Sequence, residues 1–522
     1  MPLTNEDKEN IYSDLLLAVT SPLFVDICNA LFIDAGNSKQ RLHQEEKPDR
    51  KMEITKKFLS ENAKKFTKHL EINECRNILN LAEGHFKERI KGQDELLHML
   101  LIALILNEHA LLEGLPGVGK TEIVKWIAYV TGLPSSRVQF IPDMLPSDLI
   151  GKDRVVLERI LPGEQGIKDN NVRGAVEWVN GPIFSSLVLA DEINRAPSKV
   201  QAALLEAMGE NQVTPFGKSA RPIYSNIHAA TLKIWQETYR GKGLFDMPSI
   251  PFKRRDLAQF TVFATMNPIE IEGTYPLSEA QIDRFCFKIA VPYPDRNHYK
   301  EISEIILKQK RQIDAIEGKL PIEKYEEFFN SNKEFMIPIL APTYFFLRCR
   351  SYIIPVFMGE QLLKGETLYE RFHEKEEILN SLYDIVMMTN AKTVSTEFSG
   401  SRLSQYDTEQ INIRRFIEDL KDKKDKKEDE RHKKLREALK LPHCQYVLAG
   451  ASPRGLASLE KAALCESFLK GSESLETRHI LAVIKSVLQH RIHMDVHARL
   501  AEVTSLDVIN NVCNVMQEED RC

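Results

Sequence analysis

One octapeptide limits this chain more than any other feature of its 522 residues: GLPGVGKT, at 114–121, fits the pattern G-x-x-x-x-G-K-[ST]. It follows a short apolar run, HALLEG (109–114), and opens a helical pattern from Lys120, while a second helical pattern, HMLLIALILNE (98–108), leads into it. Glycines there let backbone N–H groups turn inward onto phosphate oxygens, Lys120 brings a positive charge to the β and γ oxygens, and the Thr121 hydroxyl can ligate Mg²⁺. The nucleotide-binding set read from this motif is Gly114, Pro116, Gly117, Val118, Gly119, Lys120, Thr121 and Glu122. The rival reading is a glycine-rich turn with a chance Lys-Thr pair, and carboxylates at the end of a neighbouring strand separate the two.

Such carboxylates exist. SSLVLADE (185–192) is an apolar run ending in Asp191, which can hold Mg²⁺ through water, and Glu192, which can polarise an attacking water. A further run, FTVFATMN (260–267), also ends in polar residues. Apolar strands alternating with helical patterns predict a parallel α/β sheet with its ligand at the carboxyl ends of the strands. After VPYP (291–294) helical patterns dominate.

Composition excludes several classes. With 43% hydrophobic and 28% charged residues the chain reads as globular, long enough for roughly two to four domains. A net charge of −5 gives no global attraction to nucleic acid, so that partner is not expected. The eight cysteines (Cys28, Cys75, Cys286, Cys349, Cys444, Cys465, Cys513, Cys522) lack metal-ligand spacing and read as reduced thiols. The acidic start MPLTNEDKENIYSD is unlike a secretion signal, and the longest apolar stretch, Leu96 to Leu112, is interrupted and too short for a membrane span. A cytoplasmic protein is the expectation.

Residues 190–214, ADEINRAPSKVQAALLEAMGENQVT, resemble the extended Walker B region of MoxR-type AAA+ ATPases. ATMNPIEIEGTYPLSEAQIDRF (264–285) resembles that family's sensor 1 and arginine-finger segment, and GASPRG (450–455) its sensor 2 motif. GQDELL (92–97) and PDMLPSDLIG (142–151) fit as well, so the similarity covers about residues 80–300 and 445–495. The resemblance implies that Asn267 orients the attacking water, Arg284 reaches the ATP of a neighbouring subunit, and Arg454 reads the γ-phosphate from the lid. Alternatives are a strand-ending turn residue for Asn267 and a surface ion pair with Asp283 for Arg284. The segment between Phe140 and Phe184 resembles the helix-2 insert, with VRGAVEWVNGPIF (172–184) as a hairpin strand and Trp178 as either a contact residue or a buried anchor.

The expected fold is thus a P-loop AAA+ α/β domain with a parallel sheet and helix-2 insert, an α-helical lid and a helical N-terminal extension. The expected boundaries are extension and linker 1–78, core 79–294 with an insertion at about 221–257, lid 295–500 with an insertion at about 391–444, and tail 501–522. The core insertion carries Tyr224, Trp235, Tyr239, Arg254 and Arg255, and a run of mixed charge at 421–440 reads as solvated helix or flexible insertion. The extension joins an apolar patch (Leu15 to Ile33) to a polar linker, NSKQRLHQEEKPDRK (37–51). The resemblance further implies Mg²⁺-dependent ATP hydrolysis, a homo-oligomeric ring of six, a client protein, and a partner carrying a von Willebrand A domain. A nucleic-acid motor of the MCM branch, a metal chelatase subunit and a nucleotide-gated scaffold without turnover are the rivals.

Overall fold

The structure, a computed structural model, describes residues 18–31, 33, 40, 44, 48–62, 70–114, 118–159, 172–214, 221–222, 259–268 and 274–309, several positions between 342 and 389, and 446–519. Pro116, Gly117, Tyr224, Trp235, Tyr239, Arg254, Arg255, Cys444, Cys522 and the stretch 391–444 lie outside the described residues. The chain divides into two units: Met1–Ser278 with Ile289–Cys349 and Phe357–Leu362, and Glu279–Lys288 with Arg350–Val356 and Leu363–Cys522.

The first unit begins with helix α1 (Pro22–Ala30), where Pro22 fits the first turn and the Ser21 hydroxyl accepts from Phe24 N at 3.2 Å. Helix α2 (Pro48–Asn62) follows, so the polar stretch expected as a linker is helical at its end. Helix α3 (Ile72–Arg89) runs unbroken through the boundary expected at residue 78. Its buried face (Cys75, Ile78, Leu79, Ala82, Phe86) continues on both sides of that position, and α1 packs against it. The chain therefore passes from one segment to the next without a break in the helix.

Helix α4 (Asp94–Leu106) is buried from Leu96 to Leu106 apart from His98, and ends where Asn107 adopts left-handed backbone and accepts Phe260 N on its side chain at 2.7 Å. Among the described residues no helix is long and apolar enough to cross a membrane. Strand β1 (Ala110–Glu113) leads through the glycine-rich loop into α5 (Lys120–Thr131), which packs on α1 and α3. The chain then forms β2 (Ser135–Gln139), α6 (Pro146–Ile150), β3 (Gly151–Arg159) and β4 (Val172–Asn180). Strands β3 and β4 pair antiparallel from Gly151↔Asn180 to Arg159↔Val172, the hairpin expected within the insert. Trp178 is half-buried and donates to Asn180 Oδ1 at 2.9 Å. At the hairpin's base a Cβ on Gly181 would lie 2.2 Å from the Leu149 carbonyl, so only glycine lets the strands close there.

Next come β5 (Leu187–Asp191), α7 (Ser198–Glu210), the short pair β6 (Gln212–Val213) and β7 (Arg221–Pro222), then β8 (Thr261–Met266). The second unit opens with α8 (Glu279–Ile282); β9 (Phe287–Ala290) crosses the division, and α9 (Arg296–Gln309) belongs to the first unit. The main sheet runs β2-β5-β8-β1-β9. Strands β5 and β8 are buried nearly throughout, as interior parallel strands must be, whereas β2 at the edge is mostly exposed. The registers Ala190↔Ala264 and Glu113↔Met266 bring the polar ends of three adjacent strands to one edge of the sheet.

The second unit continues with β10 (Val447–Ala449), α10 (Pro453–Lys470), α11 (Thr477–Leu488), β11 (His493–Met494), α12 (Val496–Leu500) and α13 (Ser505–Glu519). Helix α10 is capped by Ser452 and stopped by Gly471 at φ +74°, and α11 packs against it. Helix α13 lies within the segment expected as a C-terminal tail and packs on α11 with Val508, Ile509, Val512 and Met516 buried.

Candidate nucleotide site

The loop after β1 ends at Gly119, whose φ of +82° is costly for any residue with a Cβ. Helix α5 then starts without a side-chain cap, leaving its first turn presented as anion-binding helix ends are. Lys120 Nζ donates to the Gly114 carbonyl at 2.5 Å and the Met266 carbonyl at 3.2 Å, so the ammonium lies at the ends of β1 and β8. Within the expected phosphate set, Glu122 turns its side chain toward α3. Its carboxylate pairs with Arg89 of α3, whose guanidinium lies 5.2 Å from the Trp126 ring centroid, so this side chain fastens α5 to α3.

Asp191, at the end of β5, is 6% exposed and surrounded by donors. Thr265 Oγ1 donates to its Oδ1 at 2.7 Å; Thr121 Oγ1 donates to Oδ2 at 2.9 Å; Arg137 reaches Oδ2 through Nη2 at 2.8 Å and Nε at 3.2 Å. Burial pushes this carboxyl up, but the hydrogen bonds from Thr265, Arg137 and Thr121 outweigh it and hold the group below its ordinary value. A hydroxyl and a carboxylate oxygen 2.9 Å apart form a hard-oxygen pair of the kind Mg²⁺ accepts, so these residues fit that ion.

Glu192 has left-handed backbone, φ +58°, uncommon for a residue with a side chain. Its N–H donates to Thr265 Oγ1 at 2.9 Å, so one hydroxyl holds both acids in line. Its carboxylate accepts from Gln139 Nε2 at 2.8 Å and faces Arg195 Nε at 3.1 Å. Asn267, 5% exposed, follows β8, and Asn194 Nδ2 approaches its carbonyl at 3.4 Å. Gln201 Nε2 donates to the carbonyls of Ile193 at 3.2 Å and Tyr275 at 2.9 Å, pinning the segment beyond Asn267 to the turn beyond Glu192.

Arg284 and Arg454 belong to the second unit. Arg284 is exposed on the turn after α8. The neighbouring Asp283 carboxylate receives Arg491 Nε at 2.8 Å and lies 3.5 Å from Arg454 Nη1. Arg491, 3% exposed, also donates to the carbonyls of Phe285 at 3.0 Å and Val487 at 2.8 Å, so it anchors the turn that carries Arg284. Sequence reading missed Arg137, Gln139, Thr265, Arg195 and Arg491. Thr265 and the pair Arg137/Gln139 leave a faint signal, being polar residues at the ends of strand patterns.

A glycine-rich loop into a helix, with a buried asparagine after the adjacent strand and an acid pair at the end of the next, defines a P-loop nucleotide-binding domain. The profile described as "ATPase family associated with various cellular activities (AAA)" matches residues 109–254 and 249–287, and that of the AAA lid domain matches 442–511. Chaperone MoxR1 of Mycobacterium tuberculosis is 42% identical over 229 residues, 42% of this chain and 48% of that protein. The chain thus spans about half the length of that relative. The uncharacterized protein YeaC of Bacillus subtilis is 34% identical over 278 residues, 51% of this chain and 71% of that one. The crystal structure of a protein assigned as an ATPase from Cytophaga hutchinsonii superposes with a TM-score of 0.52 at 25% identity, covering 85% of this chain and 95% of that chain. The chain belongs to the MoxR family of AAA+ ATPases.

Proposed function

We propose that this chain hydrolyses ATP with Mg²⁺ as one subunit of a ring, of six by resemblance, and uses the cycle to remodel or mature a client protein in the cytoplasm. The likeness to Chaperone MoxR1 supports the chaperone-like part of this reading, and the family resemblance adds a partner with a von Willebrand A domain.

The observation that carries the proposal is that one hydroxyl, Thr265, holds Asp191 and Glu192 in line, while the Thr121 hydroxyl donates to the other oxygen of Asp191. Lys120, together with the N-terminus of α5, counters the phosphate charge. Thr121 and Asp191 would hold Mg²⁺, which when bound neutralises charge on the phosphate oxygens. Glu192 accepts the proton of the attacking water and Asn267 orients that water. Arg284 supplies charge to a neighbouring subunit's ATP, and Arg454 couples the lid to the γ-phosphate.

Two variants test it. Lys120→Ala should lose most ATP affinity by calorimetry, while Glu192→Gln should bind ATP normally and release almost no phosphate, since an amide keeps the shape but cannot take the proton. Unchanged affinity in the first sinks the phosphate-loop assignment, and near-wild-type turnover in the second moves the base elsewhere.

A further inference from the structure

We propose that Arg137 is a counter-cation that competes with the divalent ion for one oxygen of Asp191, so that this guanidinium must withdraw before the ion can bind. The inference rests on the reading of Thr121 and Asp191 as the ion's ligands.

Two groups donate to the same atom. Asp191 Oδ2 takes the Thr121 hydroxyl at 2.9 Å and Arg137 at 2.8 Å, whereas Oδ1 is engaged by Thr265 at 2.7 Å. The oxygen that faces the other ion ligand is thus the one the guanidinium occupies. A divalent cation and a guanidinium within hydrogen-bond reach of one oxygen repel strongly where water is scarce, and the Asp191 side chain is only 9% exposed. A carboxylate this buried needs a positive partner, and Arg137 provides it.

Arg137 is also built to leave. Its side chain is 47% exposed on the edge strand β2, so it can swing into water at small cost. A second anchor lies beside it: Nη2 donates to Gln139 Oε1 at 2.8 Å, and Gln139, two residues along the strand on the same face, stands opposite Asp191 in the β2–β5 register. Arg137 therefore acts as a positioning residue through Asp191.

The test is calorimetric titration of the full-length protein with ADP over a series of Mg²⁺ concentrations, read as the Mg²⁺ level giving half of the full effect. Arg137→Met removes the competitor, so this level should fall about three- to tenfold. Arg137→Gln keeps a hydrogen bond without the charge; it should show the same fall and stands in if the Met variant does not fold. Arg137→Lys keeps the charge and should remain near wild type. In thermal unfolding, Arg137→Met should melt about 2–4 °C lower than wild type without Mg²⁺, and the gap should close with saturating Mg²⁺ and ADP.

An unchanged half-point with an equal melting loss under both conditions makes the contact a plain structural ion pair and overturns the proposal. A raised half-point overturns it too, because Arg137 would then assist the ion or the nucleotide. If wild-type protein binds ADP with no dependence on Mg²⁺, the ligand assignment itself falls and the proposal falls with it, an outcome distinct from the other two.

Discussion

Single hydroxyls and carboxylates carry much of this site, and their energetics follow from what each touches. Thr265 donates to Asp191 and accepts from the backbone N–H of Glu192, so Thr265→Val leaves one buried acceptor and one donor short of a partner. The cost should be about 1–3 kcal/mol in denaturant unfolding, with turnover falling because Glu192 loses its tether. Further back in the same unit, Glu83 accepts from His98 at 3.0 Å and pairs with Lys87 at 2.7 Å. Burial pushes this carboxyl up, but those hydrogen bonds outweigh it and set its pKa at about 2. A lowered folded-state value means that the ionised form stabilises the fold: the contribution is full above the ordinary 4.5 and disappears as pH falls toward 2. Glu83→Gln should therefore reduce the urea midpoint most at neutral pH, with the difference from wild type shrinking below pH 4.5. A constant difference across that range would contradict it. Asp191, Glu192 and Asn267 were legible in the sequence because a polar residue after an apolar strand has few places to go except the sheet edge. Arg137 was not, because its partner lies 54 residues away and only the β2–β5 register brings them together.

Among the elements, the alternation of apolar strands with helices was legible, and so was the turn into α5, since both leave a period and a glycine pattern in the chain. The N-terminal segment was harder to read. Its apolar patch has no chemistry, and only packing shows that α1 buries Leu23, Phe24, Ile27 and Cys28 while resting on α3 and the phosphate-loop helix α5. Phe24 is fully buried, with its ring 6.4 Å from that of Phe58. Phe24→Ala should cost about 3–5 kcal/mol, read as a lower melting temperature. Because α1 rests on α5, the same variant should weaken ATP binding at temperatures where its fold still holds. Wild-type stability in this variant would show that α1 is a passive appendage. The hairpin β3–β4 was half legible, since one strand carried apolar alternation while its partner, GKDRVVLER, is rich in charge. The last helix, α13, carries its buried Val508, Ile509, Val512 and Met516 at helical spacing, a signal the sequence does hold.

At the scale of the whole molecule, Lys120, Asp191 and Glu192 sit in one unit and Arg284 and Arg454 in the other. Arg284 stands exposed on a turn that Arg491 fixes from within its own unit. Arg491 lies about two hundred residues from that turn in sequence, which is why no local pattern revealed it. If Arg284 serves a neighbouring subunit, Arg284→Ala and Glu192→Gln proteins are each slow alone but complementary. An Arg284→Ala subunit keeps its own base and can receive the finger of a Glu192→Gln neighbour. The decisive measurement is phosphate release from the two variants mixed under conditions that exchange subunits, with mixed assembly verified by native mass spectrometry. The shared-site account predicts that the mixture hydrolyses ATP faster than either variant alone. A verified mixed assembly with no gain in turnover would contradict it, and with it the ring mechanism.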